Sequence, residues 1–400
     1  MPEARLPEGL DGYCDERFID VANILAGQIA AGEHHGLAFA AYFRGDLVVD
    51  VWGGYRQSPD GDAKWQRDTM SICWSTTKGI AATALHMAME RHGVDPDAPV
   101  ASVWPEFGKN GKDAIKIRHL LSHEAGIPQI RDQIDDAREL GDWDHMAEVM
   151  ANLTPLWEPG TANGYHAINF GFLVGETMRR IDGRDVPTFL REELSEPLGL
   201  DGLYIGTPSS EHHRIAPLLR PEAPTLAGGQ DPEATYEQMI PKDTIPWKAL
   251  GPRGNLFEFL DSPDGWSACI PAISGVFTAR SLAKVYAAWE RGGEVDGVRI
   301  LKPETIAKAT EVQNDRTDLV IVIAPHWRLG FMSAGAIPVL GPNHEGYGHV
   351  GLGGTYAGTD PKAELSFALV YDLFGQTELL GAARGATVSY AVVAAAEAAR

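Results

Sequence analysis

The sequence predicts a mixed α/β protein whose strands gather near the two chain ends and whose helices fill the middle. Three observations carry this reading. Residues 37–43 and 47–52 are strand-like apolar runs joined by Arg44-Gly45-Asp46, a hairpin signal close to the N-terminus. Residues 327–332, the glycine-dense run 345–359 and residues 365–373 form a strand-rich end. Between them lie stretches of helical character. At 400 residues the chain exceeds the usual size of one core, so a large composite domain or two lobes is expected.

Each element has its own signal. Residues 15–31 read as an amphipathic helix with Phe18, Val21, Leu25 and Ile29 on one stripe. Ser75-Thr76-Thr77-Lys78 opens a run of good helix formers over 80–91. Residues 117–128 read as a helix stopped at Gly126-Ile127-Pro128. The Pro159-Gly160 turn leads to Tyr165, placed at the start of a helix running to Arg180. Residues 206–264 are rich in Pro, Gly and acidic groups and read as a long, partly structured insertion of the kind that covers sites. A helix over 279–291, a hairpin at 295–298 and a closing helix over 379–399 complete the chain.

Composition excludes several classes. The chain carries 34 basic and 55 acidic residues, a net charge of -21, with no dense Lys/Arg cluster. That argues against nucleic acid and anionic membranes as partners. No run approaches the ~18 apolar residues of a membrane span, and the N-terminus lacks a secretory pattern, so a cytoplasmic location is expected. Cys14, Cys73 and Cys269 have no metal-ligand spacing and are too few for a disulfide framework. Cys73 reads as a buried small hydrophobe. His119 and His123 stand four apart, which can hold zinc when a third ligand is supplied. The His-Glu-x-x-His pattern is absent, so no metal is expected and the two histidines read as holding neighbouring loops. Gly265-Trp266-Ser267-Ala268-Cys269 approaches the Gly-x-Ser-x-Gly elbow but lacks its last glycine.

The chemistry concentrates on Ser75 and Lys78. A serine and a lysine three apart on a helix share a face. A serine hydroxyl is a poor nucleophile until a base takes its proton, and a desolvated lysine can be that base. The pattern alone is common. It gains weight from order: Ser75-x-x-Lys78 begins a helix, Tyr165 follows a Pro-Gly turn, and His349-Val350-Gly351 lies in a late glycine-rich run. This order resembles the serine β-lactamase and penicillin-recognising superfamily, closest to its class C-like branch and the family VIII carboxylesterases. Residues 117–128, the Tyr165-His166-Ala167 segment and residues 279–283 resemble further signatures of that branch.

The resemblance implies an αβα sandwich, with an antiparallel sheet from both chain ends and helices on both faces, plus an inserted, mostly helical lobe. Residues 1–80 and 280–400 would form the sandwich and 81–279 the helical lobe. It implies Ser75 as nucleophile, Lys78 and Tyr165 as the proton-transfer network, and the backbone N–H groups of Ser75 and Leu352 as the oxyanion hole. Trp74, His349 and Gly351 would meet the substrate, with Trp157 and Trp266 as further aromatic candidates. Two departures stand out. His349 occupies the place of a lysine that meets the β-lactam carboxylate. Ala167 occupies that of an asparagine that holds the substrate amide. Both point towards esters. The expectation is a serine carboxylesterase for short-chain or aryl esters, with at most weak β-lactamase activity and no cofactor. A D-amino-acid amidase or peptidase and an acyltransferase are alternatives on the same site; a non-catalytic scaffold is an alternative of another class.

Overall fold

The computed structural model describes residues 2–57, 61–219, 240–373 and 382–400. Its main element is an eight-stranded antiparallel sheet drawn from both ends of the chain. In spatial order the strands are Leu10–Cys14, Asp46–Arg56, Gly36–Phe43, Leu365–Tyr371, Tyr356–Asp360, Tyr347–Val350 and Met332–Ser333, with Ala63–Lys64 added beside the end of Asp46–Arg56. The N- and C-terminal halves meet where Leu365 to Tyr371 pairs with Phe43 to Leu37. The hairpin over Arg44-Gly45 forms as its sequence predicts. Both residues have positive φ, 56° and 86°, which matches the twist of the flanking strands.

Alternation along the strands sorts two packing faces. Leu37, Phe39, Ala41 and Phe43 face one cluster together with Leu365, Phe367 and Leu369. That cluster includes residues of the amphipathic helix Ile19–Ala30 and the closing helix Ala382–Ala398. Ala38, Ala40, Tyr42, Ala368 and Val370 face the other, where the helix Ala279–Glu290 lies. The small residues on this second face let that helix approach closely, and Ser366 Oγ donates to the carbonyl of Ala283 at 2.9 Å. Helices on both faces of one sheet are the αβα sandwich expected from the sequence.

A second, four-stranded sheet runs in the order Leu203–Ile205, Gly275–Phe277, Met70–Ile72, Ile215–Ala216. Sheet membership thus changes between Lys64 and Met70. The strand Met70–Ile72 ends three residues before Ser75, so this small sheet aims the chain at the candidate site. The buried helix Thr77–His92 follows, packed against Asn169–Asp182.

Several expectations need correction. The helix at 117 ends at Leu121, because His123 adopts a positive φ of 60°. His119 and His123 therefore do not share a helical face. The helix after Tyr165 begins only at Asn169, so Tyr165 stands in an irregular segment. Of 327–332 only Met332 is in a strand. The glycine-dense run is two strands, Tyr347–Val350 and Tyr356–Asp360, paired across the loop 351–355. Within 206–264, residues 220–239 lie outside the described residues; the remainder includes the short helices Ile245–Ala249 and Leu256–Leu260. Residues 379–381 of the closing helix also lie outside them.

Candidate active site

Ser75 sits in a single 3-10 turn, Trp74–Thr76, between the strand Met70–Ile72 and the helix Thr77–His92. Trp74 has a φ of 46°, a region bulky residues rarely adopt. The kink turns the chain sharply into the helix. The Trp74 side chain is buried, with its ring 4.9 Å from that of Phe257. The two threonines of the motif tie this turn down. Thr76 Oγ1 donates to the carbonyl of Thr355 at 3.1 Å. Thr77 Oγ1 accepts from the N–H of Gly275 at 2.9 Å.

Lys78 is fully buried, 0% exposed. Its Nζ lies 2.9 Å from Ser75 Oγ, 2.8 Å from the carbonyl oxygen of Ala167 and 3.1 Å from that of Ala272. Among the described residues no carboxylate pairs with it. Desolvation therefore holds its pKa well below the ordinary lysine value of 10.5. A neutral amine fits these three partners. As an ammonium, Nζ donates to all three; deprotonated, it keeps its two N–H bonds to the carbonyls and offers its lone pair to the Ser75 O–H.

Tyr165 completes the cluster from the irregular segment. Its hydroxyl faces Ser75, and its ring lies 4.8 Å from Lys78 Nζ. Burial, the largest influence, raises the phenol pKa; the neighbouring Ser75 hydroxyl opposes this and the charge of Asp318 adds to it. Trp327 stacks parallel on the Tyr165 ring at 5.7 Å and 6°, and His123 packs at 5.0 Å. His123 Nδ1 accepts from the N–H of His166, whose Nε2 accepts from the N–H of Ile127. These two histidines hold the loops around Tyr165, as the sequence suggests for His123.

The loop carrying Leu352 is clamped to the turn carrying Ser75. Thr355 Oγ1 donates to the carbonyl of Cys73 at 3.0 Å. Gly351 lies so close that a Cβ there would come within 2.3 Å of the same oxygen. Any side chain at 351 would push the loop off the turn. His349 is buried beside Tyr165, with ring centroids 6.2 Å apart. Its Nδ1–H donates to the carbonyl of Val350 at 2.9 Å, which leaves Nε2 as a bare acceptor without a partner among the described residues. Burial, and then the nearby Lys78, push its pKa down to about 3, so it is neutral at physiological pH.

The structure thus brings Ser75, Lys78, Tyr165 and His349 together and sets the Gly351-Leu352 loop against the Ser75 turn. It does not bring Trp266 there: that ring packs against His212 at 5.3 Å, beside the four-stranded sheet. Trp157 donates to the carbonyl of Ala162 and packs against His166. Cys73 is fully buried, and burial raises its thiol pKa, which suits the packing role read from sequence. Sequence reasoning missed Thr76, Thr77, Thr355, Asp318 and Trp327. The threonines flank motif residues and could have been weighed for that reason. Asp318 and Trp327 carry no local signal.

The family model described as Beta-lactamase matches residues 21–389. The Esterase/beta-lactamase LipL of Mycobacterium tuberculosis is 34% identical over 366 residues, covering 90% of this chain and 82% of that protein. A crystal structure of a family VIII carboxylesterase superposes with a TM-score of 0.84 at 32% identity, covering 98% of this chain and 100% of that one. A penicillin-binding protein homologue from Caulobacter crescentus gives a TM-score of 0.83 at 35% identity, covering 96% and 99%. With a family match over nearly its whole length and a relative 34% identical across 90% of it, the chain belongs to the Beta-lactamase family.

Proposed function

We propose that this protein is a serine carboxylesterase that cleaves short-chain or aryl esters through an acyl-enzyme on Ser75. The observation that carries the proposal is the set of three partners around Lys78 Nζ: Ser75 Oγ and two backbone carbonyls, with no carboxylate to keep the amine charged. Lys78 takes the Ser75 proton as Oγ attacks the ester carbonyl. The Tyr165 O–H, which faces Ser75, supplies a proton to the departing alkoxide and regains one from the Lys78 ammonium. The net transfer is one proton from Ser75 to the alcohol. Water then repeats the sequence in the other direction, releasing the acid and restoring Ser75. The backbone N–H groups of Ser75 and Leu352 receive the tetrahedral oxyanion; one such donor is worth about 3 kcal/mol of barrier. The leaving alcohol and water are chemically equivalent in the second step, so acyl transfer to another alcohol uses the same residues.

Neutral His349 supports esters over β-lactams. A substrate carboxylate needs a cation or a donor, and an imidazole whose free nitrogen is an acceptor offers neither. The relatives' names support ester hydrolysis without separating it from β-lactam chemistry: one is a carboxylesterase, one an esterase/beta-lactamase and one a penicillin-binding protein homologue. The test is a fluorophosphonate probe followed by mass spectrometry, beside a panel of p-nitrophenyl esters of increasing chain length with nitrocefin as comparison. An adduct on Ser75, ester turnover abolished in Ser75→Ala and slow nitrocefin turnover are expected. Folded protein with no Ser75 adduct and no ester turnover would sink the proposal.

A further inference from the structure

Asp318 lies 153 positions from Tyr165 along the chain, yet the two are directly bonded. Its carboxylate is buried, 1% exposed, and accepts five N–H groups. Oδ1 accepts from the backbone of Tyr165 at 2.9 Å, Val320 at 2.9 Å and Ile321 at 3.1 Å. Oδ2 accepts from Asn163 Nδ2 at 3.1 Å and Trp327 Nε1 at 3.1 Å. The loop closes on itself through Asp318 N–H to the carbonyl of Ile323, and joins the Tyr165 segment again through Leu319 N–H to the carbonyl of Asn163. Among the described residues no cation pairs with Asp318. Arg316, two residues away, is engaged with Glu124 and the carbonyl of Gly160.

We propose that Asp318 is a positioning residue of the hydrolytic site, fixing Tyr165 from two directions: through its backbone N–H and through the indole of Trp327 stacked on its ring. The proposal rests on the serine-hydrolase reading of Ser75, Lys78 and Tyr165 given above. Tyr165 has no helix to hold it, since the nearest one starts at Asn169. Asp318 replaces that scaffold. The donor set demands a carboxylate. An amide oxygen could keep the three backbone bonds, but its NH2 would then face Asn163 Nδ2 and Trp327 Nε1, donor against donor. A buried carboxylate without a counter-ion is expensive to maintain, and five charge-assisted hydrogen bonds are what hold it.

The uncompensated charge has a second effect. It is bonded to the Tyr165 backbone and, less strongly than burial, favours the protonated form of the phenol. Among the described residues, the other groups facing Tyr165 are Lys78, Ser75, His123, His349 and Trp327. Asp318 is the one carboxylate among them. Its loss makes Tyr165 easier to ionise, and a tyrosinate cannot protonate the departing alkoxide.

The test is Asp318→Asn in the full chain, measured with p-nitrophenyl butyrate across pH. The expected result is kcat lower on the order of 10²-fold, the size of a displacement of about 1 Å, with KM little changed and the alkaline limb of kcat moved to lower pH. A wild-type kcat overturns the proposal. So does a lowered kcat with an unmoved alkaline limb, because a merely structural residue would scale the activity without moving the limb. If the variant does not fold, Trp327→Phe decides: it keeps a ring on Tyr165 and deletes one donor to Oδ2. A several-fold loss of kcat at unchanged KM supports Asp318, and unchanged kcat overturns it. An inactive wild type marks the failure of the hydrolase reading itself, which takes this one with it.

Discussion

Lys78 decides what Ser75 can do. A lysine in water is charged at neutral pH and cannot accept a proton. Buried among Ala167, Ala272, Tyr165 and Phe170, with carbonyls as its fixed partners, it loses the solvation that stabilises the ammonium. Activity should therefore rise with pH as Lys78 deprotonates, with the acidic limb of kcat/KM well below 10.5. Lys78→Ala should lower kcat by about 10²- to 10⁴-fold, the usual contribution of a general base. Lys78→Arg should be no better, because a guanidinium stays protonated. Near-wild-type turnover in either variant at neutral pH would remove Lys78 from the mechanism. The motif residues were legible because the serine and lysine are close in sequence, and closeness in sequence over one helical turn is closeness in space.

At the scale of the element, the helix Thr77–His92 has to enter the core immediately after Ser75. Gly79 makes that possible. A Cβ there would come within 2.1 Å of the Tyr286 hydroxyl and 3.2 Å of its ring carbon. That hydroxyl is buried and, among the described residues, without a hydrogen-bond partner. Gly79→Ala should therefore destabilise by about 1–3 kcal/mol, the range for overpacking. Tyr286→Phe should be neutral or stabilising, because it removes an unsatisfied buried polar group. It should also recover most of the Gly79→Ala loss in the double variant, since the hydroxyl is the nearest clash. Chemical denaturation of the four proteins forms the cycle, and additive losses would show that the clash lies elsewhere. The helices and the first hairpin were readable because their signals are local: apolar periodicity and a Gly at a turn. The Tyr165 segment, read as a helix start, is not one, because the Ala167 N–H folds back onto the Tyr165 carbonyl at 3.0 Å in a turn tighter than a helix.

For the molecule as a whole, the site's cost appears as sensitivity to acid. His34, His86, His166 and His349 are buried, and burial pushes their pKa values from 6.5 down to about 3, 4, 3 and 3. Unfolded, each binds a proton near pH 6.5; folded, each resists until the lower value. Their contribution to stability is fully present above about pH 6.5 and is lost progressively as pH falls towards 3. The melting temperature should drop steeply between about pH 6 and pH 4, and His349→Phe should lessen the slope. A melting temperature flat across that range would show that these imidazoles stay accessible to protons. By itself the sequence determined the serine–lysine pair, the strand-rich ends and the histidine in place of a lysine, because each is written in neighbouring residues. Only the tertiary structure decided how Tyr165 is held, which carbonyls surround Lys78 and why Gly351 must be a glycine. Those depend on segments such as 163–165, 272 and 318–327, which meet only when the chain folds and have no reason to announce one another along it.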